Sequence, residues 1–376
     1  MNTRELLYLL KWNTFSGNQN PISADPSWKK WRHESREMTT PRLSISIPTY
    51  NFGRFIGETL DSIHPQVTDE VEVLVVDGAS TDDTEEVVRK RQVRFPRLKY
   101  YRLPKKGGID RDMAKSVELA RGEYVWLFSA DDWMAEGALK RVLDEIRLGL
   151  DLYLCGFTLC DFEMRPRMPH PILDAPDASL YDLGDPRDRR DFFERGLTTT
   201  AFFSFMSSLV IRKEKWDSAK MDDAFVGSCW DHVARLFCLI PGGLRVKYLS
   251  GTYLLKRDDN DSFSERGIAR RVGIAIEGYH RLANAFFGAE SAEARHIRRV
   301  LKNEYPLLNL LYIKSRTSES HLPEDREYLD CLVAMLYLDG QPADRLRLRL
   351  YRLAPPFALR PAEKAYKFAR KFLPLP

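Results

Sequence analysis

From residue 42 the chain alternates between two hydrophobic periods. LSISI (43–47) is a short apolar run closed by Pro48, and FGRFIGETLDSI (52–63) places apolar residues at 52, 56, 60 and 63, the spacing of a helix. VEVLVV (71–76) is a nearly continuous β-branched run, the signature of a parallel strand covered on both faces. TDDTEEVVRKR (81–91) opens on Thr and Asp, carries acids in its first turn and bases in its last, the order a helix dipole favours. LKYYRL (98–103) predicts a third strand and 110–120 a helix broken by Gly122. EYVWLFS (123–129) predicts a fourth strand, 135–147 a fourth helix and LDLYLCGF (150–157) a fifth strand. Such alternation predicts an α/β fold, a doubly wound and mostly parallel sheet. Ligands of these sheets sit at the carboxyl ends of the strands.

Beyond residue 157 the pattern loosens. Pro166, Pro169, Pro171, Pro176 and Pro186 punctuate 158–200, which predicts a long loop excursion over the site. AFFSFMSSLVI (201–211) predicts a strand, WDHVARLFCLI (230–240) a helix and LRVKYLSGTYLLK (244–256) further strands. From about 265 the reading is helical: 267–287, 291–316, 324–338, 343–353 and 362–373. In the last, Ala362, Ala365, Tyr366, Ala369, Phe372 and Leu373 share one face and Lys364, Lys367 and Lys371 the other. Residues 1–40 hold Trp28 and Trp31 but no clean period, and are read as a peripheral extension.

Composition narrows the class. A chain 44% hydrophobic and 30% charged is globular rather than fibrous or disordered. No apolar run is long enough to span a bilayer. Leu6–Leu10, closed by Lys11, is too short for a signal-peptide core, so the chain is expected in the cytoplasm. The five cysteines match no zinc spacing and are expected to be reduced. The net charge of +4 is unevenly spread: residues 341–376 carry nine Lys/Arg against two Asp/Glu, on a mildly acidic body. A basic tail points to an anionic partner, most simply a membrane surface. The plain alternative is a solvated basic helix.

Four loops follow the first four strands: PTYN (48–51), DGASTDDT (77–84), KKGGIDRD (105–112) and SADDW (129–133). Asp77 ends an apolar strand, placed either to accept a hydrogen bond from a base or ribose or to cap the turn that follows. Gly107 and Gly108 allow backbone to approach a phosphate, or form an ordinary turn. Asp131 and Asp132 are the strongest signal. Paired carboxylates at a strand end suit a hard divalent cation, Mg²⁺ or Mn²⁺, that would neutralise a diphosphate leaving group. One of them alone would serve as the cap of the next helix.

Taken in order, SISIPTYN, VEVLVVDGASTDDT, the glycine loop and ARGEYVWLFSADDW resemble the GT-A fold glycosyltransferases of family 2 over about residues 42–150, and more weakly over 200–260. GGIDRDMAKSVELARGEY, FVGSCWDHVARLF and RDDNDSF look more specifically like abequosyltransferase-type enzymes of bacterial O-antigen assembly. The resemblance implies that Pro48, Thr49 and Tyr50 hold the base and ribose, that Asp77 contacts the base, and that Gly108, Asp110 and Arg111 meet the donor. It implies Asp131 near the ribose and metal, and Asp132 as metal ligand. The chain departs from the family at Ser129, where an Asp is frequent, and at GGIDRD.

Inverting transfer needs a carboxylate to deprotonate the acceptor hydroxyl. WDH (230–232) occupies the family's position for it, so Asp231 is the candidate base. His232, Asp222 and Asp223 are its competitors, and a helix cap is the structural alternative. RDDNDSF (257–263) either closes over the substrates or is a polar turn.

The implied organisation is an N-terminal extension (1–40), a nucleotide-sugar-binding half (41–150), an acceptor-binding half (151–262) and a helical basic region (263–376). The implied partners are a nucleoside-diphosphate sugar, a saccharide acceptor, lipid-linked, and the inner face of the membrane, but no nucleic acid. A dehydrogenase would need a GxGxxG turn where IPTYNFG stands. A nucleotidyltransferase would need a Gly-rich basic first loop. A non-catalytic nucleotide-sugar or carbohydrate-binding scaffold is the alternative from another class.

Overall fold

The computed structural model describes residues 40–258, 260, 267–319 and 323–355. The expected 1–40 extension, apart from Thr40, and the expected 362–373 helix lie outside them. Of RDDNDSF, Arg257, Asp258 and Asn260 are described.

Strands β1 (Leu43–Thr49), β2 (Val71–Asp77), β3 (Leu98–Arg102) and β4 (Tyr124–Leu127) are linked by helices α1 (Gly53–Ile63), α2 (Thr84–Gln92) and α3 (Ile109–Leu119). There follow β5 (Trp133–Met134), α4 (Ala138–Ile146), β6 (Leu152–Cys160), β7 (Pro166–Pro169), β8 (Leu180–Asp182), α5 (Pro186–Arg195), β9 (Leu209–Arg212), α6 (Lys213–Ser218), α7 (Asp231–Leu239) and β10 (Arg245–Arg257). The helical region comprises α8 (Ile268–Phe286), α9 (Ala292–Glu304), α10 (Leu307–Glu319), α11 (Pro323–Leu336) and α12 (Pro342–Leu353).

These strands form one sheet in the order β3-β2-β1-β4-β9-β6-β10-β5, with β7 beside β6 and β8 beside β10. Strands β1 to β4 pair in parallel, while β9 runs antiparallel between β4 and β6. Because β10 is parallel to β6, the carboxyl ends of β1, β2, β3, β4, β6 and β10 all open on one edge. The fold is the expected α/β, GT-A type sheet with a helical C-terminal region.

β1 and β2 are buried along their whole length, as their apolar runs require. They hold two buried acids, Glu72 within β2 and Asp77 at its end, and Glu72 is braced by its neighbours. Its carboxylate accepts from Ser44 Oγ (2.7 Å), Arg121 N (2.7 Å), Arg121 Nε (3.0 Å) and Lys99 Nζ (2.9 Å). Burial alone would raise its proton affinity, but these donors outweigh burial and hold the pKa below the ordinary 4.5. A lowered pKa contributes stability above the unfolded value, and that stability is lost as pH falls through the folded one. Glu72→Gln is therefore expected to cost about 3 kcal/mol at neutral pH and to flatten the acid limb of urea-denaturation midpoints measured against pH. An unchanged acid limb would refute the assignment.

Several expected elements differ. In 201–211 only Leu209–Arg212 is a strand; Thr199–Phe202 and Met206–Ser208 are single 3₁₀ turns. Phe203 there adopts a left-handed φ of 68°, and Tyr279 Oη on α8 donates to Phe202 O at 2.8 Å. The aromatic run therefore packs as turns against the helical region. The 158–200 excursion contains α5, opened by Asp185 accepting from Arg187 N with Pro186 at the first turn. The expected strands of 244–256 are one long β10, whose register with β6 shifts between Leu249 and Leu254. At that shift a Cβ on Gly156 would lie 2.6 Å from Gly251 O, so glycine is required there. The expected 291–316 helix is two, α9 and α10, divided at Tyr305–Pro306, where proline supplies no N–H to continue the ladder.

Candidate active site

At the shared strand edge the loops after β1 and β2 are stitched together. Asn51, at φ 59°, donates its N–H to Ser80 Oγ (2.8 Å) and accepts from Thr81 N (2.7 Å) through Oδ1. Phe52 N donates to Thr84 Oγ1 at 3.0 Å. Thr49 Oγ1, at the end of β1, is buried and has no hydrogen-bond partner, an orphan hydroxyl where a ligand is expected. Beside it Tyr50 is half-buried, with Lys106 Nζ 3.6 Å from its ring centroid. Asp77 is fully buried: Ser80 N donates to Oδ1 (2.8 Å), and Tyr100 Oη (2.5 Å) and Arg102 Nη1 (3.2 Å) donate to Oδ2. It thus forms the turn, with half-exposed Arg102 lying between it and solvent.

The glycine loop wraps a carboxylate that the sequence reading did not single out. Asp112 Oδ1 accepts from Gly107 N at 3.0 Å. A Cβ on Gly107 or on Gly78 would come within 2.6 Å of this carboxylate. Gly108, at φ 89°, starts α3, in a conformation that favours glycine.

Asp110 and Arg111 do not join these loops. The buried carboxylate of Asp110 accepts from Gly227 N (2.8 Å), Cys229 N (3.0 Å) and Asp231 N (3.2 Å), and so ties the chain before α7 to the start of α3. That segment carries positive φ at Gly227 (86°) and Cys229 (75°). Arg111 lines an outer cleft with Lys115, Glu118, Trp216, Lys220 and Arg235.

Asp131 and Asp132 follow β4 at the shared strand edge. Asp132 is 1% exposed and Asp131 9%. Asp132 accepts from Ser207 Oγ (2.7 Å) and Arg257 N (3.2 Å). Asp131 accepts from Ser129 Oγ and from Asn260 Nδ2 at 2.8 Å. Burial first, then the charge of Asp131, raises the Asp132 pKa well above the ordinary carboxylate range. Arg257 supports the pair from behind: its Nε donates to Asp131 O (3.2 Å) and its Nη2 to Glu58 Oε2 (2.6 Å). Ser207, Arg257 and Asn260 were not nominated from sequence as partners of the pair. Only the polar cluster at 257–263 hinted at two of them.

Asp231 opens α7 and is 1% exposed; its carboxylate accepts from Arg235 Nε (2.8 Å) and Asp222 N (3.3 Å). His232 is buried, with Nε2 3.1 Å from Phe203 O and Nδ1 unpartnered. Burial lowers its pKa to about 4, so it is neutral near pH 7, with the proton placed on Nε2. Elsewhere at the sheet, Phe157 stacks on His170 (4.6 Å) and packs on half-buried Phe205 (4.6 Å). Lys256 Nζ lies 5.5 Å from the Phe205 ring centroid, and its charge partly opposes the upward shift of Asp132. None of the five cysteines forms a disulfide.

The family model for glycosyl transferase family 2 matches residues 44–212, which run from β1 to the end of β9. Abequosyltransferase RfbV of Salmonella typhimurium is 35% identical over 274 residues, covering 71% of this chain and 81% of that protein. The chain belongs to glycosyltransferase family 2. This glycosyltransferase is also 33% identical to chondroitin synthase of Escherichia coli over 131 residues, 35% of this chain but 19% of that longer protein. Among solved structures, S. aureus TarS 1–349 in complex with UDP-GlcNAc superposes with a TM-score of 0.56 at 19% identity, over 87% of this chain and 92% of that one. At that identity the likeness speaks for the fold alone, and it spans the transferase sheet and helical region together.

Proposed function

We propose that the protein transfers a sugar, with inversion, from a nucleoside-diphosphate sugar to a hydroxyl of a lipid-linked saccharide, in bacterial surface-polysaccharide or O-antigen synthesis. The observation that carries this is the pair Asp131–Asp132, two adjacent buried carboxylates at the edge where six strands end. Burial first, and then the charge of Asp131, raises the proton affinity of Asp132. The donors there are all oxygen, which suits Mg²⁺ or Mn²⁺. Among the described residues no cluster of three or more His, Cys, Asp or Glu is gathered to hold an ion, so donor phosphates and water would complete the shell. Bound there, the cation would neutralise the departing diphosphate.

The resemblance gives the cation to Asp132 and places Asp131 nearer the ribose. Because Asp131 is the more accessible acid, we infer instead that it would meet the cation directly, with Asp132, enclosed by Ser207 and Arg257, supporting it from behind. Pro48, Thr49 and Tyr50 would line the base and ribose, with Asp77 reached when Arg102 swings aside. The Gly107–Gly108 backbone would approach the phosphates. Asp231 would take the proton of the attacking hydroxyl, which requires its pairing with Arg235 to loosen as the acceptor arrives. Asp110 positions Asp231 by holding the loop before it. Phe205 and Lys256 would form the acceptor wall. The relative named abequosyltransferase RfbV, matched over most of its length, favours a surface-polysaccharide acceptor. Among the described residues no helix is long and apolar enough to cross a membrane, which fits work from the cytoplasmic face as a peripheral protein.

The test is thermal denaturation of the full chain against a panel of nucleoside-diphosphate sugars, with and without Mg²⁺ or Mn²⁺. Ligand binding raises Tm by mass action. At least one donor is expected to raise Tm only with metal, and Asp131→Asn to lose that gain. A variant stabilised like wild type would overturn the metal assignment.

A further inference from the structure

Helix α12 carries apolar residues on two opposite sides. Towards the body it turns buried Asp344, half-buried Leu348 and buried Tyr351. Tyr351 Oη donates to Asp330 Oδ1 at 2.8 Å, and Lys302 Nζ donates to Asp344 Oδ2 at 2.9 Å, so this face is fastened. At 3.6 residues per turn, Leu346, Leu350 and Leu353 fall on a single stripe on the other side. They are 57%, 48% and 71% exposed. Arg345 and Arg349, with Arg352, flank one side of the stripe and Arg347 the other, all four exposed.

A surface helix that serves only to cover the core turns polar residues outward. Here the outward centre is leucine and its borders are arginine. That is the pattern of a helix lying in a lipid interface, with apolar side chains below the headgroups and cations at the phosphates. A second copy of this chain fits poorly, because pairing two such stripes would bring their arginines together. We propose that α12 is the membrane-docking surface of the protein: Leu346, Leu350 and Leu353 insert into an anionic leaflet and the arginines contact its phosphates. This gives the membrane contact of the proposed function a defined surface, one helix face within the basic 341–376 tail to which the sequence assigned it as a whole. It rests on that reading for its biological purpose, not for its physics.

The experiment is sedimentation of the full chain with vesicles of phosphatidylcholine alone, or with about one-third phosphatidylglycerol, without any sugar nucleotide. Wild type is expected to bind the anionic vesicles roughly tenfold better than the neutral ones, with high salt eroding the difference. The triple variant Leu346→Ser/Leu350→Ser/Leu353→Ser should lose about tenfold of anionic binding. Arg345→Gln/Arg349→Gln/Arg352→Gln should remove the preference for phosphatidylglycerol. The donor-dependent Tm gain is read on each variant to verify folding. Wild type that ignores both vesicles overturns the proposal. So does a leucine variant that binds like wild type, or one that changes only the oligomeric state. Since no donor is present, a protein that binds vesicles yet never releases nucleoside diphosphate would sink the transfer reading and leave this one standing.

Discussion

Asp110→Asn is expected to cost about 3 kcal/mol of stability and to lower kcat about 100-fold while leaving the donor-dependent Tm gain intact. The reason is what this carboxylate holds. Three N–H groups, of Gly227, Cys229 and buried Asp231, converge on this buried carboxylate. An amide offers one oxygen in place of two and turns an NH₂ towards N–H groups, leaving donors unsatisfied. The segment it secures is one that would not keep its shape unaided, because Cys229 sits at a left-handed φ that a residue with a Cβ avoids. Once released, the loop relaxes and displaces Asp231 at the start of α7. The sequence resemblance placed Asp110 beside the donor, and that placement makes the opposite forecast: a lost Tm gain with the donor. Steady-state kinetics with the thermal-shift assay therefore separates the two roles.

Asp231→Asn is expected to lower transfer by about 10²–10⁴-fold, the range for a removed general base, with donor binding and metal dependence kept. The competing role is structural, since Asp231 pairs with Arg235 at 2.8 Å, and that guanidinium also lies over Trp216 and donates to Ala219 O. An asparagine retains an oxygen to accept from Arg235 Nε but cannot take a proton from a hydroxyl. If Asp231 serves only to anchor Arg235, the variant melts earlier yet transfers at the wild-type rate per folded molecule. His232 is a poor substitute. It is buried and neutral, and its Nε2 is committed to Phe203 O.

The parallel half of the sheet was legible because its signals are local. VEVLVV reads as a two-sided strand without knowledge of its neighbours, and the charges of 84–92 mark both ends of α2. The pair Asp131–Asp132 was legible because two acids after YVWLF have few other places to go. What escaped depends on distant partners. Ser207 and Arg257 lie 75 and 125 positions beyond Asp132, and no local period announces that their donors meet its oxygens. Asp112 resembled any acid in a first helical turn until Gly78 and Gly107 closed around it. Asp110 and Arg111 are neighbours on α3, so helical geometry sends their side chains in different directions, one to the α7 loop and one to the outer cleft. AFFSFM misled by composition: its aromatic run suits a strand, but α8 and Tyr279 offered its carbonyls and rings another home.

The distance in sequence between the acid pair and its donors also sets an order of events during synthesis. A nascent chain that has released β1 to β4 from the ribosome can already bury the apolar faces of these strands, since their pairing partners are close in sequence. It then carries Asp131 and Asp132 without Ser207 Oγ or Arg257 N to hold them. The full set of donors around the pair becomes available only after β10 has emerged, more than a hundred residues later. An incomplete polypeptide can therefore be folded in part while its acid pair is still unbraced, and under the proposed function competence would arrive with the strand that finishes the sheet.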